Sequence, residues 1–254
     1  MSKLATAERV STELSDNFVF QRSRLAYLEA AARVNGRVLE IGTGSGYGVE
    51  IIAPHTSHFT TIDKHTPAQD VIVGDNVEFL EATVPPLPFA DNSFDCVISF
   101  QVIEHIKDDR SFVNEVRRVL RPNGVFIVST PNIKMSLTRN PWHIREYTPE
   151  EFQKLLSPAF AQIERLGVTG DQTIMEYYAK NKEGVRRITR FDILNLQYRL
   201  PRWMLQIPYD ILNRINRRKL LKENNDLTAS IKMSNYHLEE VSDLSFDLFY
   251  IARK

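Results

Sequence analysis

The stretch that most constrains the fold runs from Arg37 to Gly48 and reads R-V-L-E-I-G-T-G-S-G-Y-G. Its first half is a short apolar run with one acid, which is typical of a buried parallel strand, and the alternating glycines predict a tight turn. Glycine suits such a turn because its backbone adopts positive φ and because no Cβ blocks an approaching ligand. The sequence therefore predicts a strand, a turn and a polar, nucleotide-like ligand bound at the turn.

The spacing of the glycines separates two classes of nucleotide-like ligand. A dinucleotide fingerprint, G-x-G-x-x-G, needs a glycine at position 47 or 49, where the chain has Tyr47 and Val49. The pattern acid-x-Gly-x-Gly-x-Gly fits instead, and it resembles the first motif of class I S-adenosylmethionine-dependent methyltransferases. The resemblance implies that S-adenosyl-L-methionine binds here and leaves as S-adenosyl-L-homocysteine. The cofactor-binding residues implied by this motif are Glu40, Gly42, Thr43, Gly44 and Gly46.

A second strand is predicted over H-F-T-T-I-D, from His58 to Asp63. An acid at the tip of the second strand of a doubly wound sheet can accept hydrogen bonds from ribose hydroxyls. Asp63 is therefore predicted to bind the cofactor. The connection that follows, residues 64–75, is too short and too broken by Pro67 and Gly74 for the usual crossover helix.

The second point of resemblance is Leu87–Ile106, which reads L-P-F-A-D-N-S-F-D-C-V-I-S-F-Q-V-I-E-H-I. It is similar to the segment that introduces the fourth strand in the same methyltransferases. The resemblance implies adenine contacts by Glu81 and Ala82, or by Thr83 if residues 84–86 are a small insertion. It also implies that the methionine end of the cofactor is lined by Ser99, Phe100 and Gln101.

Strands that alternate with helices predict an α/β fold with a doubly wound, seven-stranded, mostly parallel sheet. The resemblance, which makes the fold Rossmann-like, places the seventh strand antiparallel between the fifth and the sixth. A helix over residues 18–34 is predicted to keep Arg22, Arg24 and Tyr27 in solvent, although such a helix can also cover an active site. Further helices are predicted over residues 48–52, 109–120 and 148–156. Residues 1–170 and 244–254 form the predicted S-adenosylmethionine-binding domain, and residues 171–243 form a mostly helical insert before the last strand.

The insert is strongly basic. Between Gly184 and Lys222 it has ten Lys or Arg against two Asp, a net +8, in a chain whose 32 basic and 32 acidic residues cancel. A basic amphipathic surface suits a membrane or an anionic substrate. The same pattern suits a cap over the sheet domain or a dimer arm, and these interpretations stay open. The apolar residues that recur at helical spacing are Leu200, Trp203, Met204, Ile207, Ile211 and Ile215.

Two histidines are candidate catalytic residues, because a hydroxyl acceptor must lose a proton during attack. His105 follows the fourth strand and His143 the fifth, so both are expected at the carboxyl edge of the sheet. His143 lies in N-P-W-H-I-R-E-Y-T, which resembles the H-x-R-E-Y-T stretch of methyltransferases in cell-surface polysaccharide and natural-product pathways. Arg145 and Tyr147 are therefore candidate substrate residues, with Glu146 holding Arg145. A purely structural role is the alternative for both histidines.

Composition narrows the partners and the location. Zero net charge argues against a nucleic-acid partner. A single cysteine, Cys96, excludes a disulfide framework and a cysteine-rich metal site. No His, Asp or Glu cluster has metal-ligand spacing, so no metal is predicted. Without a signal-peptide core or an apolar run near the roughly 20 residues of a membrane span, a cytoplasmic location is expected, with peripheral membrane contact as an alternative and a homo-oligomer left open.

These features together predict an enzyme that transfers a methyl group from S-adenosylmethionine to a small-molecule, saccharide or lipid-linked acceptor, at oxygen. One alternative is a non-catalytic S-adenosylmethionine-binding partner or regulator, which would consume no methyl acceptor. The other is a membrane-peripheral lipid methyltransferase, which would bind anionic vesicles.

Overall fold

The computed structural model describes residues 13–67, 72, 74–192 and 194–254. The start of the chain, where the sequence predicts no signal peptide, lies outside these ranges. So does part of the 64–75 connection, where the sequence predicts no crossover helix. The strands are β1 Arg37–Ile41, β2 His58–Asp63, β3 Val77–Glu81, β4 Phe94–Phe100, β5 Leu120–Pro131, β6 Gln162–Gly170, β7 Tyr236–Glu240 and β8 Asp247–Arg253.

The strands form an eight-stranded sheet in the order β3-β2-β1-β4-β5-β8-β6-β7. Strands β1 to β5 pair in parallel, whereas β8 is antiparallel to both β5 and β6. The predicted α/β fold and the position of the last strand are confirmed. Because β2 and β3 lie on one side of β1 and β4 on the other, the strand order reverses between β1 and β4. In such sheets a ligand crevice lies at the carboxyl ends of the strands where the order reverses.

The sheet has one strand more than the seven that the sequence predicted. Strand β7 lies inside the predicted insert and pairs antiparallel with β6 at the sheet edge. Most of its residues are exposed or half-buried, so its sequence, Y-H-L-E-E, lacks the apolar run of a central strand. An edge strand with one solvated side gives a weaker pattern than a strand buried on both faces.

The helices follow the predicted limits closely, and α4 starts with a capping box between Thr148 and Glu151. In the ranges that the structure describes, every helix is too short or too polar to traverse a bilayer. The helices are α1 Asn17–Ala31, α2 Val49–Ile52, α3 Asp109–Val119, α4 Pro149–Leu156, α5 Gln172–Thr189, α6 Leu196–Arg199, α7 Arg202–Glu223 and α8 Asn225–Ser230.

The core consists of two apolar layers, one on each face of the sheet. Alternate residues of β1 and β4 point to opposite faces, so Val38 and Cys96 join the layer under α1 and α2. Leu39 and Val97 join the layer under α3 and α4. Cys96 is 3% exposed and is therefore a core residue.

Candidate functional site

The glycine turn joins β1 to α2 at the carboxyl edge of the sheet. Gly42, Gly44 and Gly46 have φ of 100°, 58° and 83°, a conformation that favours glycine. A Cβ on Gly42 would lie 2.4 Å from Cγ2 of Val102, whereas the nearest atom to a Cβ on Gly44 would be the Gly42 carbonyl oxygen at 4.0 Å. The turn is therefore packed tightly at its base and open at Gly44, where a ligand can approach the backbone.

Glu40 lies behind this turn, 1% exposed. The Tyr27 hydroxyl donates to its Oε1 at 2.7 Å, and the Thr61 hydroxyl donates to its Oε2 at 2.5 Å. The Thr43 hydroxyl lies 2.6 Å from that of Thr61, which extends the network to the turn. Burial raises the pKa of Glu40 to about 7, although both hydrogen bonds oppose the rise. The carboxyl group thus ties the turn to α1 and β2, and its direct contact with the cofactor stays a prediction.

Helix α1 covers this edge of the sheet, and the prediction that its polar residues are solvated is wrong for Tyr27 and Arg22. Tyr27 is 5% exposed, and its ring packs edge-on against Tyr47 and Phe100. Nε of Arg22 lies 2.9 Å from Oδ2 of Asp247, and both side chains are largely buried. Sequence periodicity did not reveal these contacts because each partner lies on a different element.

Asp63 ends β2 beside the turn. Its Oδ2 accepts the Gly44 backbone N–H at 2.9 Å, and its Oδ1 accepts the His65 backbone N–H at 3.0 Å. Each carboxylate oxygen has a second lone pair, so the group is held in position with capacity for further donors. Glu81 is the register neighbour of Asp63 on β3, and the Ala82 N–H donates to the Asp63 carbonyl at 2.9 Å. The fold therefore places these three predicted cofactor residues at one edge of the sheet.

Ser99 and Gln101 lie at the end of β4 and differ in what they contact. Ser99 is fully buried, and its hydroxyl lies 3.3 Å from the Ile41 carbonyl on β1. Gln101 has φ of 57°, a left-handed conformation uncommon for residues other than glycine, and it lines a cavity. Unusual backbone conformations concentrate at functional sites, so the geometry favours Gln101 as a ligand contact and Ser99 as a support for β1.

That cavity measures about 240 Å³ and lies between α1, the ends of β4 and β5, and helices α5 and α7. Two arginines, Arg22 and Arg217, contribute to its wall, and Arg217 is paired with Asp16 at 2.7 Å. Aromatic rings and amides make up much of the rest, so the lining offers both stacking surfaces and hydrogen-bond partners. Members of that set are Phe18, Tyr177, Tyr178, Tyr209, Asn140, Asn181 and Asn213.

The two predicted histidines meet in the wall of this cavity, with ring centroids 5.0 Å apart. Nδ1 of His105 lies 3.1 Å from the Trp142 carbonyl, and Nδ1 of His143 lies 2.7 Å from Oε1 of Glu146. Both Nδ1 atoms face acceptors and therefore carry a proton, so that in a neutral ring the lone pair would lie on Nε2. Nε2 of His143 is 2.8 Å from Nδ2 of Asn140, which fits this tautomer.

Glu104 lies beside the two histidines, and the sequence did not predict it as a site residue. It is 1% exposed, its Oε2 accepts the Thr130 hydroxyl at 3.0 Å, and its carbonyl accepts the Ile144 N–H at 2.7 Å. Burial raises the pKa of Glu104. Ligand atoms of Glu104, His105 and His143 all lie within 4.8 Å of one another, so the fold creates a cluster where the sequence predicted no metal ligands.

Arg145 and Tyr147, the predicted substrate residues, both contact Asp109 at the start of α3. Arg145 forms an ion pair with Asp109, and the Tyr147 hydroxyl donates to Oδ2 of the same residue at 2.9 Å. Neither residue lines the cavity, because Asp109 draws both towards the start of α3. Glu146 bonds to His143 instead of holding Arg145. The H-x-x-E spacing could have signalled that pair.

Comparisons with known proteins agree with this geometry. Residues 39–128 match the family profile of a methyltransferase domain. A probable S-adenosylmethionine-dependent methyltransferase of Mycolicibacterium smegmatis is 39% identical over 186 residues, which cover 69% of this chain and 72% of the relative. Another from Mycobacterium tuberculosis is 39% identical over 163 residues, which cover 61% of this chain and 60% of the relative. A crystal structure of a SAM-dependent methyltransferase from Thermotoga maritima is 16% identical, covers 97% of each chain and has a TM-score of 0.60.

Fold and site together define a class I, Rossmann-like methyltransferase. The chain belongs to the S-adenosylmethionine-dependent methyltransferases. It is accordingly an enzyme whose cofactor is S-adenosyl-L-methionine, as the glycine motif predicted. At 16% identity, the Thermotoga maritima structure shares the fold and carries no information about the acceptor.

Proposed function

We propose that this methyltransferase transfers a methyl group to a hydroxyl oxygen of a small-molecule, saccharide or lipid-linked acceptor bound in the cavity. The observation that carries the proposal is the pairing of two histidines with a wall of aromatic rings and amides at the cofactor edge of the sheet. Amides and tyrosines hydrogen-bond hydroxyl groups, and aromatic rings pack on the apolar faces of a ligand. A polyhydroxylated acceptor such as a saccharide fits this lining.

The residues proposed to hold the cofactor follow the edge of the sheet from β3 to β4. The open space at Gly44 admits the cofactor to the turn, Asp63 accepts the ribose hydroxyls, and Glu81 and Ala82 meet the adenine. Gln101, supported by Ser99, faces the methionine end. Glu40 and Thr43 hold the turn, with Gly42 and Gly46 shaping it. Bound S-adenosylmethionine supplies a methyl group on a positively charged sulfur.

His143 is the proposed base of this reaction. Glu146 holds the proton on Nδ1, so Nε2 is the atom that accepts the proton of the acceptor hydroxyl. His105 is the second candidate, because its ring contacts that of His143. Arg145 and Tyr147 act indirectly in this proposal, by fixing the loop that carries His143 to α3.

Cofactor binding is tested by calorimetric titration of S-adenosylmethionine into wild type, Asp63→Ala and the control Asp243→Ala. We expect Asp63→Ala to weaken binding by about tenfold, or about 1.4 kcal/mol, because the ribose acceptor is lost. Asp243 is on the surface, 65% exposed at its side chain, so its replacement should change nothing. Equal affinity of all three proteins would remove Asp63 from the cofactor site.

Acceptor class is tested by supplying the enzyme with S-adenosylmethionine labelled on its methyl group and separate acceptor fractions. Label in hydroxyl-bearing saccharides or lipid-linked saccharides is expected, and label in amines, protein or nucleic acid would contradict the proposal. No transfer to any fraction by a protein that binds the cofactor would favour a non-catalytic binding partner. His143→Gln should lower turnover by about 100-fold or more while cofactor affinity stays within twofold.

A membrane-peripheral form of this function is favoured by helix α7. The side of α7 that lines the cavity presents Tyr209, Asn213 and Arg217. Much of its exposed side is apolar, whereas an ordinary surface helix exposes a polar face. We define the outer face of α7 by its exposed apolar residues: Trp203 at 72%, Met204 at 44%, Ile207 at 71%, Ile211 at 52%, Leu212 at 44% and Ile215 at 55%.

Basic residues extend the outer face towards the end of α7, where Arg218 and Lys222 are exposed. An anionic phospholipid surface complements both parts, since it buries apolar side chains and attracts Lys and Arg. A lipid-linked acceptor could then enter the cavity while its anchor stays in the bilayer. The outer face of α7 thus supports a membrane contact for the insert.

Vesicle co-sedimentation tests this contact. Wild type should bind vesicles of phosphatidylglycerol and phosphatidylcholine and not vesicles of phosphatidylcholine alone. Ile207→Ser combined with Ile211→Ser should abolish binding, whereas Leu244→Ser, which alters a 67% exposed leucine outside the insert, should not. A dimer that dissociates on the α7 substitutions, with no vesicle binding by wild type, would make this face a subunit contact instead.

A further inference from the structure

We propose that Glu104, His105 and His143 bind a divalent metal ion, with Zn²⁺ as the ion that best fits the ligands, in the wall of the acceptor cavity. Their ligand atoms lie within 4.8 Å of one another, and all three residues line the cavity. Two imidazoles and one carboxylate suit zinc and neighbouring transition metals, whereas Mg²⁺ and Ca²⁺ prefer sites made of oxygen alone.

The hydrogen bonds around the histidines are those of metal ligands. A metal-binding histidine almost always donates its other ring N–H to a carboxylate or a backbone carbonyl. His143 does so to Glu146 and His105 to the carbonyl of Trp142. Because Nδ1 of each ring makes this hydrogen bond, Nε2 is the proposed ligand atom of both histidines. Glu146 is itself held, since its Oε2 accepts the Ser136 hydroxyl.

Burial of Glu104 supports the same conclusion. The carboxyl group is 1% exposed and has one hydroxyl partner, Thr130, on its Oε2. An ionised carboxylate that is shielded from water is costly unless cations or hydrogen-bond donors surround it. A divalent cation between the three side chains would supply positive charge directly beside Glu104. Binding would replace the contact between Nδ2 of Asn140 and Nε2 of His143.

Three protein ligands leave open coordination positions, as in catalytic zinc sites. Because the cluster faces the cavity, an oxygen of the acceptor can occupy an open position. If Nε2 of His143 binds the ion, that atom no longer accepts the proton of the acceptor hydroxyl directly. The ion would instead lower the pKa of the acceptor hydroxyl. This role in catalysis rests on the proposed function, whereas ion binding itself does not.

The test is calorimetric titration of ZnCl₂ into chelator-treated full-length protein, with no acceptor present. One ion per chain is expected to bind, and His105→Ala, His143→Ala and Glu104→Gln should each weaken binding by at least about tenfold. The matched control is His237→Ala, because His237 forms a surface histidine–carboxylate pair with Glu239 at 2.9 Å. That variant should bind Zn²⁺ within twofold of wild type.

Co²⁺ provides a second readout that does not depend on activity. Visible d–d absorption of Co²⁺ bound by wild type should disappear in His143→Ala and persist in His237→Ala. Each variant is also titrated with S-adenosylmethionine, and retained affinity shows that it is folded. Absence of Zn²⁺ binding by a wild type that binds S-adenosylmethionine would overturn the metal site and leave the proposed function intact. The metal site would also be overturned if His105→Ala, His143→Ala and Glu104→Gln all bound Zn²⁺ as tightly as wild type.

Discussion

The buried carboxyl group of Glu40 should make the stability of this protein fall as the pH rises towards neutrality. Glu40 titrates at about 7 in the folded protein, against an ordinary value of 4.5. Between these values the folded protein keeps a proton that the unfolded chain has released, so the free energy of unfolding decreases with rising pH. The groups that face Glu40 are the hydroxyls of Tyr27 and Thr61 and the carboxylate of Asp63.

The size of the effect follows from the difference between the two pKa values. One pKa unit corresponds to about 1.4 kcal/mol, so the shift of Glu40 contributes about 3 to 4 kcal/mol to the free energy of unfolding at low pH. This contribution is fully present below pH 4.5 and is lost as the pH rises through 7. Between pH 5 and pH 8 the change should be about 2 to 3 kcal/mol. Glu40→Gln cannot ionise, and its amide can still bond to both hydroxyls. The variant should therefore match wild type near pH 5 and exceed its stability at pH 8.

Urea unfolding of both proteins at a series of pH values, without cofactor, measures this difference. The difference between wild type and Glu40→Gln isolates Glu40 because all other titrating groups are shared. The control is Glu50→Gln, which alters an exposed glutamate of α2 and should give a difference that does not vary with pH. A pH-independent difference for Glu40→Gln would refute the reasoning, since it would mean that burial does not hold the proton on this group.

Three further substitutions test the packing around the site by urea or thermal unfolding. Arg22→Ala should cost about 3 to 5 kcal/mol because it leaves the Asp247 carboxylate buried without its cation; adding Asp247→Asn should restore most of this, and a loss below about 1 kcal/mol would contradict the pairing. Gly48→Ala should cost about 1 to 3 kcal/mol because its Cβ would lie 2.1 Å from Cε1 of the buried Tyr27 ring, and a neutral result would contradict that contact. Thr148→Ala should cost about 1 kcal/mol through loss of the α4 cap, whereas Thr148→Ser should retain most of the stability.

Local sequence patterns predicted much of the fold and of the cofactor edge. The glycines of the turn and the acid at the tip of β2 are specified by their neighbours along the chain, because a tight turn and a strand end have local signatures. For this reason the positive φ of Gly42 and Gly44 and the place of Asp63 beside them could be predicted. Strand β7 could not, because an exposed edge strand has no apolar run.

The direction in which the side chains of a loop point could not be predicted from the sequence. Arg145 and Tyr147 lie only two and four residues after His143, yet both contact Asp109, which is 36 and 38 residues away along the chain. Adjacent residues in an irregular segment point in different directions, and distant partners decide which direction is taken. Glu146 and His143 pair for the same reason.

The sequence by itself determined the class of enzyme, since the glycine motif and the strand pattern are read from neighbouring residues. Tertiary structure decided the rest of the site, by bringing Glu104 and His105 together with His143 from a separate loop. It also decided the orientation of α7, because helical periodicity reveals that one face is apolar but not which face the protein covers. Contacts between residues far apart in the chain depend on the packing of whole elements, and no local pattern encodes that packing.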